Sequence, residues 1–238
     1  KRFKSDKRYQ FVLEHATFEQ GLQNIEIIKK NNIEILENNN FSKFKLNDLI
    51  GSPKIYNYGS VYGNISPTTI AYIKVLSDLM SLFKINEINT IAEIGAGYGG
   101  QALIIDQFTK KIEFTLFDLK PVLKLTEKYL ESFNLNGSFN TKTLNEESYT
   151  NKYDLIISNY AFSELPKKTQ ILYLEKVLSK SKRGYLIMNS GSPYKKNKDD
   201  SQLNYDEIVK YLPSCEVLTE TPLTSENNYL LVWGNNKN

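Results

Sequence analysis

Residues 89–100 read Asn89-Thr90-Ile91-Ala92-Glu93-Ile94-Gly95-Ala96-Gly97-Tyr98-Gly99-Gly100. A short apolar run (Ile91, Ala92, Ile94) breaks into glycines at 95, 97, 99 and 100, and the apolar segment Gln101 to Phe108 follows without a proline. The pattern predicts a buried strand, a tight turn and a helix start, the opening βα unit of a nucleotide-binding sheet. Glycine is needed where backbone must take positive φ or lie close to a ligand. The helix behind it turns unpaired N–H groups toward the turn.

The spacing can be read in two ways. Gly95, Gly97 and Gly100 satisfy G-x-G-x-x-G, and Asp118 follows at the distance of an acid that holds a ribose hydroxyl, so a dinucleotide is one reading. Glu93 two residues before the first glycine gives E-x-G-x-G-x-G, the form of S-adenosylmethionine sites. That ligand has no pyrophosphate, and its ammonium can be held by a carboxylate near the turn.

The 238 residues suit one domain with an appended lobe, and 40% hydrophobic with 24% charged residues is ordinary for a globular chain. A net charge of +3 is too small to indicate nucleic acid or an anionic membrane as partner. No apolar run reaches the roughly 18 residues of a membrane span, and no signal peptide is expected. The one cysteine, Cys215, excludes an internal disulfide and suits a reducing compartment, so the cytoplasm is expected. With His15 the one histidine, no zinc constellation is expected.

Along the chain, residues 1–30 predict one or two amphipathic helices, and residues 41–50 a short one. Residues 51–69 read as a long irregular segment holding Tyr56, Tyr58 and Tyr62, a linker or a lid over a ligand. Ser66-Pro67 caps and starts a strong helix. Residues 112–117, 138–144, 153–158 and 185–188 predict further strands, with helices over 121–133 and 170–178. Residues 190–204 read as a polar loop, and residues 205–212 as a short helix. Two last strands, 216–219 and 229–233, are too close for a crossover helix and should form an antiparallel hairpin. The whole is an α/β fold: a Rossmann-like sheet of seven strands, five parallel units plus the hairpin, as in class I methyltransferases. Residues 1–60 form a helical lobe or lid, and residues 61–238 the S-adenosylmethionine-dependent domain. Tyr194 and Lys198 make a literal Y-x-x-x-K, but their polar, proline-bearing surroundings do not suit the shared helix face a reductase needs.

Ligands of open α/β sheets sit outside the carboxyl ends of the strands. There the expected cofactor contacts are Glu93, Gly95, Ala96, Gly97 and Tyr98 in the turn, then Asp118 and Leu119 after the second strand. Leu144 and Asn145, with Glu146, follow the third strand and face the adenine; Asn159 and Tyr160 follow the fourth. Tyr62, Tyr98, Tyr160 and Ser163 are the candidates for the acceptor. A base is needed if the acceptor is a neutral hydroxyl. Glu164 is the first candidate, with Phe162 and Leu165 expected to surround it with apolar groups and raise its pKa. His15 is the rival if the lobe folds over the cleft. No metal cluster is recognised, Asp199-Asp200 being read as solvated.

Three runs, P-T-T-I-A-Y-I-K-V-L-S-D-L from Pro67, I-A-E-I-G-A-G-Y-G-G-Q from Ile91 and S-N-Y-A-F-S-E-L from Ser158, resemble the sugar O-methyltransferases associated with bacterial surface polysaccharide synthesis. The resemblance covers about residue 62 onward, and its most distinctive part is S-N-Y-A-F-S-E-L. It implies a cytoplasmic enzyme that uses S-adenosylmethionine to methylate a hydroxyl of a sugar, nucleotide sugar or polysaccharide precursor. Methylation of a phosphate or phosphoramidate decoration is the alternative, and from other classes a nicotinamide oxidoreductase or a non-catalytic S-adenosylmethionine-binding module. The acceptor and the oligomeric state stay open.

Overall fold

The computed structural model describes residues 2–144, 152–189 and 201–235. In chain order the helices are α1 Lys7–Val12, α2 Phe18–Asn31, α3 Asn38–Phe44, α4 Gly59–Tyr62, α5 Pro67–Leu82, α6 Gly100–Phe108, α7 Lys120–Leu130, α8 Ala161–Glu164, α9 Lys167–Lys176 and α10 Tyr205–Ile208. The strands are β1 Tyr56–Asn57, β2 Asn64–Ile65, β3 Thr90–Ile94, β4 Glu113–Phe117, β5 Ser138–Lys142, β6 Leu155–Asn159, β7 Gly184–Met188, β8 Glu216–Thr219 and β9 Tyr229–Trp233.

Local signals set the helix starts. Thr17 and Gln20 form a reciprocal capping box at α2, and the Ser66 hydroxyl accepts from Thr69 N–H ahead of Pro67 at α5. The segment read as irregular over 51–69 carries the β1–β2 ladder, in which Tyr56 pairs with Ile65 and Asn57 with Asn64. Positive φ at Gly59 and Gly63 folds the chain back between them, and Tyr58 N–H closes onto the Gly63 carbonyl.

The main sheet has the order β5-β4-β3-β6-β7-β9-β8. β5, β4, β3, β6 and β7 are parallel; β9 pairs antiparallel with both β7 and β8. The predicted seven-stranded sheet with its terminal hairpin is therefore what forms. Successive residues of β3 face opposite sides. Ile91 joins the core of one face with Phe114, Leu155 and Tyr185; Ala92 and Ile94 join the other with Ile156, Leu186 and Leu174.

The N-terminal helices pack into the first of these cores. Ile25 and Ile28 of α2 and Phe44 of α3 share it with Ile70 and Ile73 of α5 and Leu103 of α6. A buried polar knot ties them together. Asn47 donates to Thr69 Oγ1 (2.7 Å) and Tyr98 Oη (3.2 Å), and its Oδ1 accepts from Tyr129 Oη (2.7 Å). Fully buried Lys4 donates to the Asn47 carbonyl and lies 4.3 Å from the Tyr98 ring centroid. Burial lowers its pKa to about 8. Among the described residues no helix is long and apolar enough to cross a membrane.

Candidate active site

The glycine turn is fastened by the end of β4 and by α7. Gly95 and Ala96 N–H both donate to the Phe117 carbonyl at the end of β4 (2.8 and 3.2 Å), and Thr126 of α7 donates to the Gly97 carbonyl (2.6 Å). Gly95 at φ +76 has no room for a side chain, since a Cβ there would lie 2.1 Å from Ala161 Cβ. Gly97 at φ +56 faces the connection after α1, its hypothetical Cβ 3.0 Å from Leu13 Cδ1. α6 begins at Gly100 without a side-chain cap, so its first N–H groups meet the turn.

Asp118 stands beside the turn. Its Oδ2 accepts from Gly97 N–H (3.0 Å) and its Oδ1 from Leu119 N–H (2.7 Å). Each oxygen keeps a lone pair for a ligand. Burial nevertheless raises its pKa, against those two bonds. Leu119 next to it is 72% exposed, an apolar surface at the mouth of the sheet. Glu93 lies behind, buried in β3, with Oε2 lacking any partner. Burial, then the Asp118 charge, push its pKa well above the ordinary carboxylate value.

The exit of β6 forms the opposite wall. Ser158 Oγ donates to the Ile94 carbonyl (2.9 Å) and accepts from Phe162 N–H (3.0 Å). Asn159 Nδ2 donates to Gln101 Oε1 (3.2 Å), and its Oδ1 is buried without a partner. Tyr160 takes φ +68, and its hydroxyl donates to Glu220 Oε1 (2.6 Å) and lies 3.1 Å from Thr224 Oγ1. A strained non-glycine residue at this point is held by Glu220 and Thr224 of the connection between β8 and β9.

The sequence candidates separate accordingly. Glu93, Gly95, Ala96, Gly97, Asp118, Leu119 and Asn159 come together around the turn. Tyr98 does not open into the cleft: it is buried against Tyr129, Lys4 and Asn47 and ties the N-terminal segments to the turn. Tyr62 packs on Phe41 beneath Lys29, away from the turn and among the N-terminal helices. Ser163 is fully buried, its hydroxyl within hydrogen-bond distance of the Tyr160 carbonyl and of Asn189 Oδ1. Leu144 is half-buried among the core residues of the second face. Asn145, Glu146, Tyr194, Lys198, Asp199 and Asp200 lie outside the described residues.

Glu164 lacks the apolar surround expected of it. It ends the short helix α8 with its side chain exposed, accepting from Asn189 Nδ2 (2.7 Å). His15 is exposed and lines a groove of about 940 Å³ between the α1–α2 connection, β1 and the start of α5.

The N-terminal segment supplies groups that local sequence patterns did not mark. Tyr9 Oη and Glu14 Oε1 are buried without partners, as are Glu93 Oε2 and Asn159 Oδ1. These atoms belong to one neighbourhood. Glu14 stands near Thr68 and Tyr98, the Tyr9 ring lies 6.3 Å and the Tyr72 ring 6.2 Å from that of Tyr98, and the Tyr72 carbonyl accepts from Gln101, the partner of Asn159. The signal in the sequence was slight: one acid at the foot of α1, far along the chain from the turn it meets.

The PH0226 protein of Pyrococcus horikoshii OT3 has a similar fold, with 11% identity over 74% of this chain and 92% of that one at a TM-score of 0.51. Two further solved structures are similar at lower scores. N-methyltransferase NodS of Bradyrhizobium japonicum WM9 has 13% identity over 71% of this chain and 95% of its own, at 0.49. An S-adenosylmethionine-dependent methyltransferase of Clostridium acetobutylicum ATCC 824 has 12% identity over 67% and 88%, at 0.47. No curated protein matches the chain.

The sheet order and terminal hairpin are those of class I methyltransferases, and S-adenosylmethionine is the cofactor that goes with them. The residues fit it. Glu93 is a buried carboxylate with an orphaned oxygen and an acid for its charged neighbour, which a cationic ligand would relieve. Asp118 has lone pairs for ribose hydroxyls, and exposed Leu119 offers an apolar face for a base. Residues 76–194, half of the chain, match the methyltransferase small domain, and the chain belongs to that family.

Proposed function

We propose that the chain transfers a methyl group from S-adenosylmethionine to a hydroxyl oxygen of a sugar, nucleotide sugar or polysaccharide precursor, in the cytoplasm of a cell that builds a surface polysaccharide. The observation that carries the cofactor half is the uncompensated Glu93 carboxylate beside the glycine turn. The acceptor half is supported by the likeness of the runs from Pro67, Ile91 and Ser158 to sugar O-methyltransferases. Residues 1–60 act in this reading as the lobe over the site, and residues 61–238 as the domain that carries it.

The cofactor supplies a methyl already activated on a sulfonium. What remains for the protein is to hold the two reactants in line, worth roughly 7–11 kcal/mol in well-oriented reactions. Glu93 faces the ammonium, Asp118 the ribose hydroxyls and Leu119 the adenine. Asn159 and Tyr160 stand at the exit of β6, beside the place of transfer. Leu13 over Gly97 excludes water from the turn.

A second reading, methylation of a phosphate or phosphoramidate oxygen, is favoured by Lys7 and Lys54 on the groove. Such an oxygen is anionic at neutral pH and needs no base. Calorimetry with S-adenosylhomocysteine against NAD(P), followed by mass spectrometry of nucleotide sugars and phosphorylated glycans after incubation with methyl-labelled cofactor, tests both. Binding of NAD(P) with none of adenosylhomocysteine would sink the proposal. Mass gain on a phosphate in place of a hydroxyl would select the second reading.

A further inference from the structure

The groove beside the N-terminal helices is lined by polar and aromatic side chains, and the Glu14 carboxylate is orphaned at its wall. Glu14 lines the groove together with Lys7, Phe11, His15, Lys54 and Tyr56, and its carboxylate also reaches Tyr98 of the glycine turn. Leu13, the residue before it, lies against Gly97. The wall between groove and turn is therefore residues 13 and 14, and Glu14 is the acid in it.

We infer that the groove is the acceptor site, taking a hydroxylated sugar ring, and that Glu14 is the catalytic residue that accepts the proton of the methylated hydroxyl. This rests on the methyltransferase reading above and names its acceptor side. The groove has the composition such a ring requires. Phe11, 87% exposed, and Tyr56 give apolar faces for the ring's C–H groups, while Gln10, His15 and Asn57 give polar groups for its hydroxyls. Lys7 and Lys54 suit a phosphate attached to the sugar.

Glu14 is suited to the step by position and environment. The carboxylate stands beside Thr68 and Tyr98, and its Oε1 is buried with no hydrogen-bond partner of its own. Burial raises its pKa, with a smaller rise from Asp48, against lowering by the Lys4 charge and by the neighbouring Thr68 and Tyr98 hydroxyls. The hydroxyls of Tyr9 and Tyr72 also stand near it. A carboxylate of raised pKa is a stronger base toward a hydroxyl than an exposed one. Glu164 is exposed and bonded to Asn189, and His15 is exposed on the groove. In the step the acceptor oxygen forms a bond to the methyl carbon as the carbon–sulfur bond breaks, with that electron pair left on sulfur. The acceptor's proton passes to Glu14 Oε1, leaving neutral adenosylhomocysteine and a protonated carboxyl.

Saturation-transfer NMR on UDP-, GDP- and CMP-linked sugars, with adenosylhomocysteine bound, tests the groove. Transfer to the sugar-ring protons of at least one probe is expected, and its loss in Phe11→Ser. Methylation of that probe is then compared in wild type, Glu14→Gln and Glu14→Asp across pH. Glu14→Gln should lower kcat by about 10²–10⁴-fold with adenosylhomocysteine affinity and melting temperature near wild type, and Glu14→Asp should recover part of it. The wild-type rate should fall as pH drops through the Glu14 pKa, and that limb should be missing in Glu14→Gln. Bound adenosylhomocysteine with no transfer to any probe overturns the groove, as does transfer that survives Phe11→Ser. Binding without methylation, or methylation undiminished in Glu14→Gln, overturns the base. Absence of adenosylhomocysteine binding in wild type would instead fell the reading on which the inference rests. If Glu14→Gln does not fold, Glu14→Asp and the Phe11→Ser arm decide it.

Discussion

Gly95 and Ala161 meet with no space for a side chain between them: a Cβ on Gly95 would sit 2.1 Å from that of Ala161. The first turn of the sheet and the exit of its central neighbour β6 are thus set by a contact between the smallest residues. Gly95→Ala would add the clash, about 1–3 kcal/mol for overpacking, to roughly 1–2 kcal/mol for a side chain at φ +76. Urea unfolding should show a loss of about 2–5 kcal/mol. A loss under about 0.5 kcal/mol would mean that the turn relaxes freely.

Glu93→Gln separates stability from binding. Its pKa in the fold lies well above that in the unfolded chain, so the folded state holds the proton more tightly. That contribution to stability is complete below the unfolded value and is lost as pH rises through the folded one. The ligand-free Gln variant should therefore lose less stability than wild type on going from pH 5 to 8, the slope due to Asp118 and Glu14 remaining. Its affinity for adenosylhomocysteine should drop tenfold or more, as about 1.5–3 kcal/mol for a bond to a charged group implies. Isothermal calorimetry giving equal affinities would remove Glu93 from the cofactor site.

Lys4 predicts a pH dependence of the opposite sign. Burial lowers it from 10.5 to about 8, so between those values the unfolded chain carries a proton that the folded one has released. Stability should rise with pH across that window, by roughly 3 kcal/mol in full. In Lys4→Met this rise should vanish. The difference between the two proteins from pH 7.5 to 9.5 isolates Lys4 from the tyrosines and Cys215, and parallel curves would refute the assignment.

Exposure distinguishes the two glutamates. Glu164→Gln should lower kcat by at least tenfold less than Glu14→Gln on a confirmed hydroxyl acceptor, because a solvated carboxylate loses little when its basicity is removed. The reverse order would return the proton-accepting role to the end of α8.

The sheet was legible because its strands are apolar runs bounded by turns: Ile91–Ile94, Phe114–Phe117 and Leu155–Ile157 lie between parallel neighbours and are buried on both sides. Ser66-Pro67 was legible through cap chemistry alone. The glycine turn and Asp118 followed from spacing. Tyr98 misled because position in the motif does not fix the direction of a side chain; its ring turns to the Lys4–Asn47 knot, whose members come from distant parts of the chain. Glu164 misled because flanking apolar residues were read as its surroundings. Phe162 is buried beneath the helix while the acid points away. Leu13 and Glu14 left only a slight mark, since nothing in a run of helix and connection shows which loop it will cover.

β8 is made before β9 and yet reaches the sheet through it alone. A chain emerging from the ribosome therefore completes β7 with one edge bare, and β8 has no partner on the sheet until residues 229–233 arrive. That bare edge is a row of unpaired backbone groups, an invitation to strand addition from another molecule. Trp233, packed over Gly184 where any Cβ would strike it, seals the edge at its start. Folding of this half of the sheet is thus a late event in synthesis, and slow translation between β7 and β9 would prolong the interval in which nascent chains can associate.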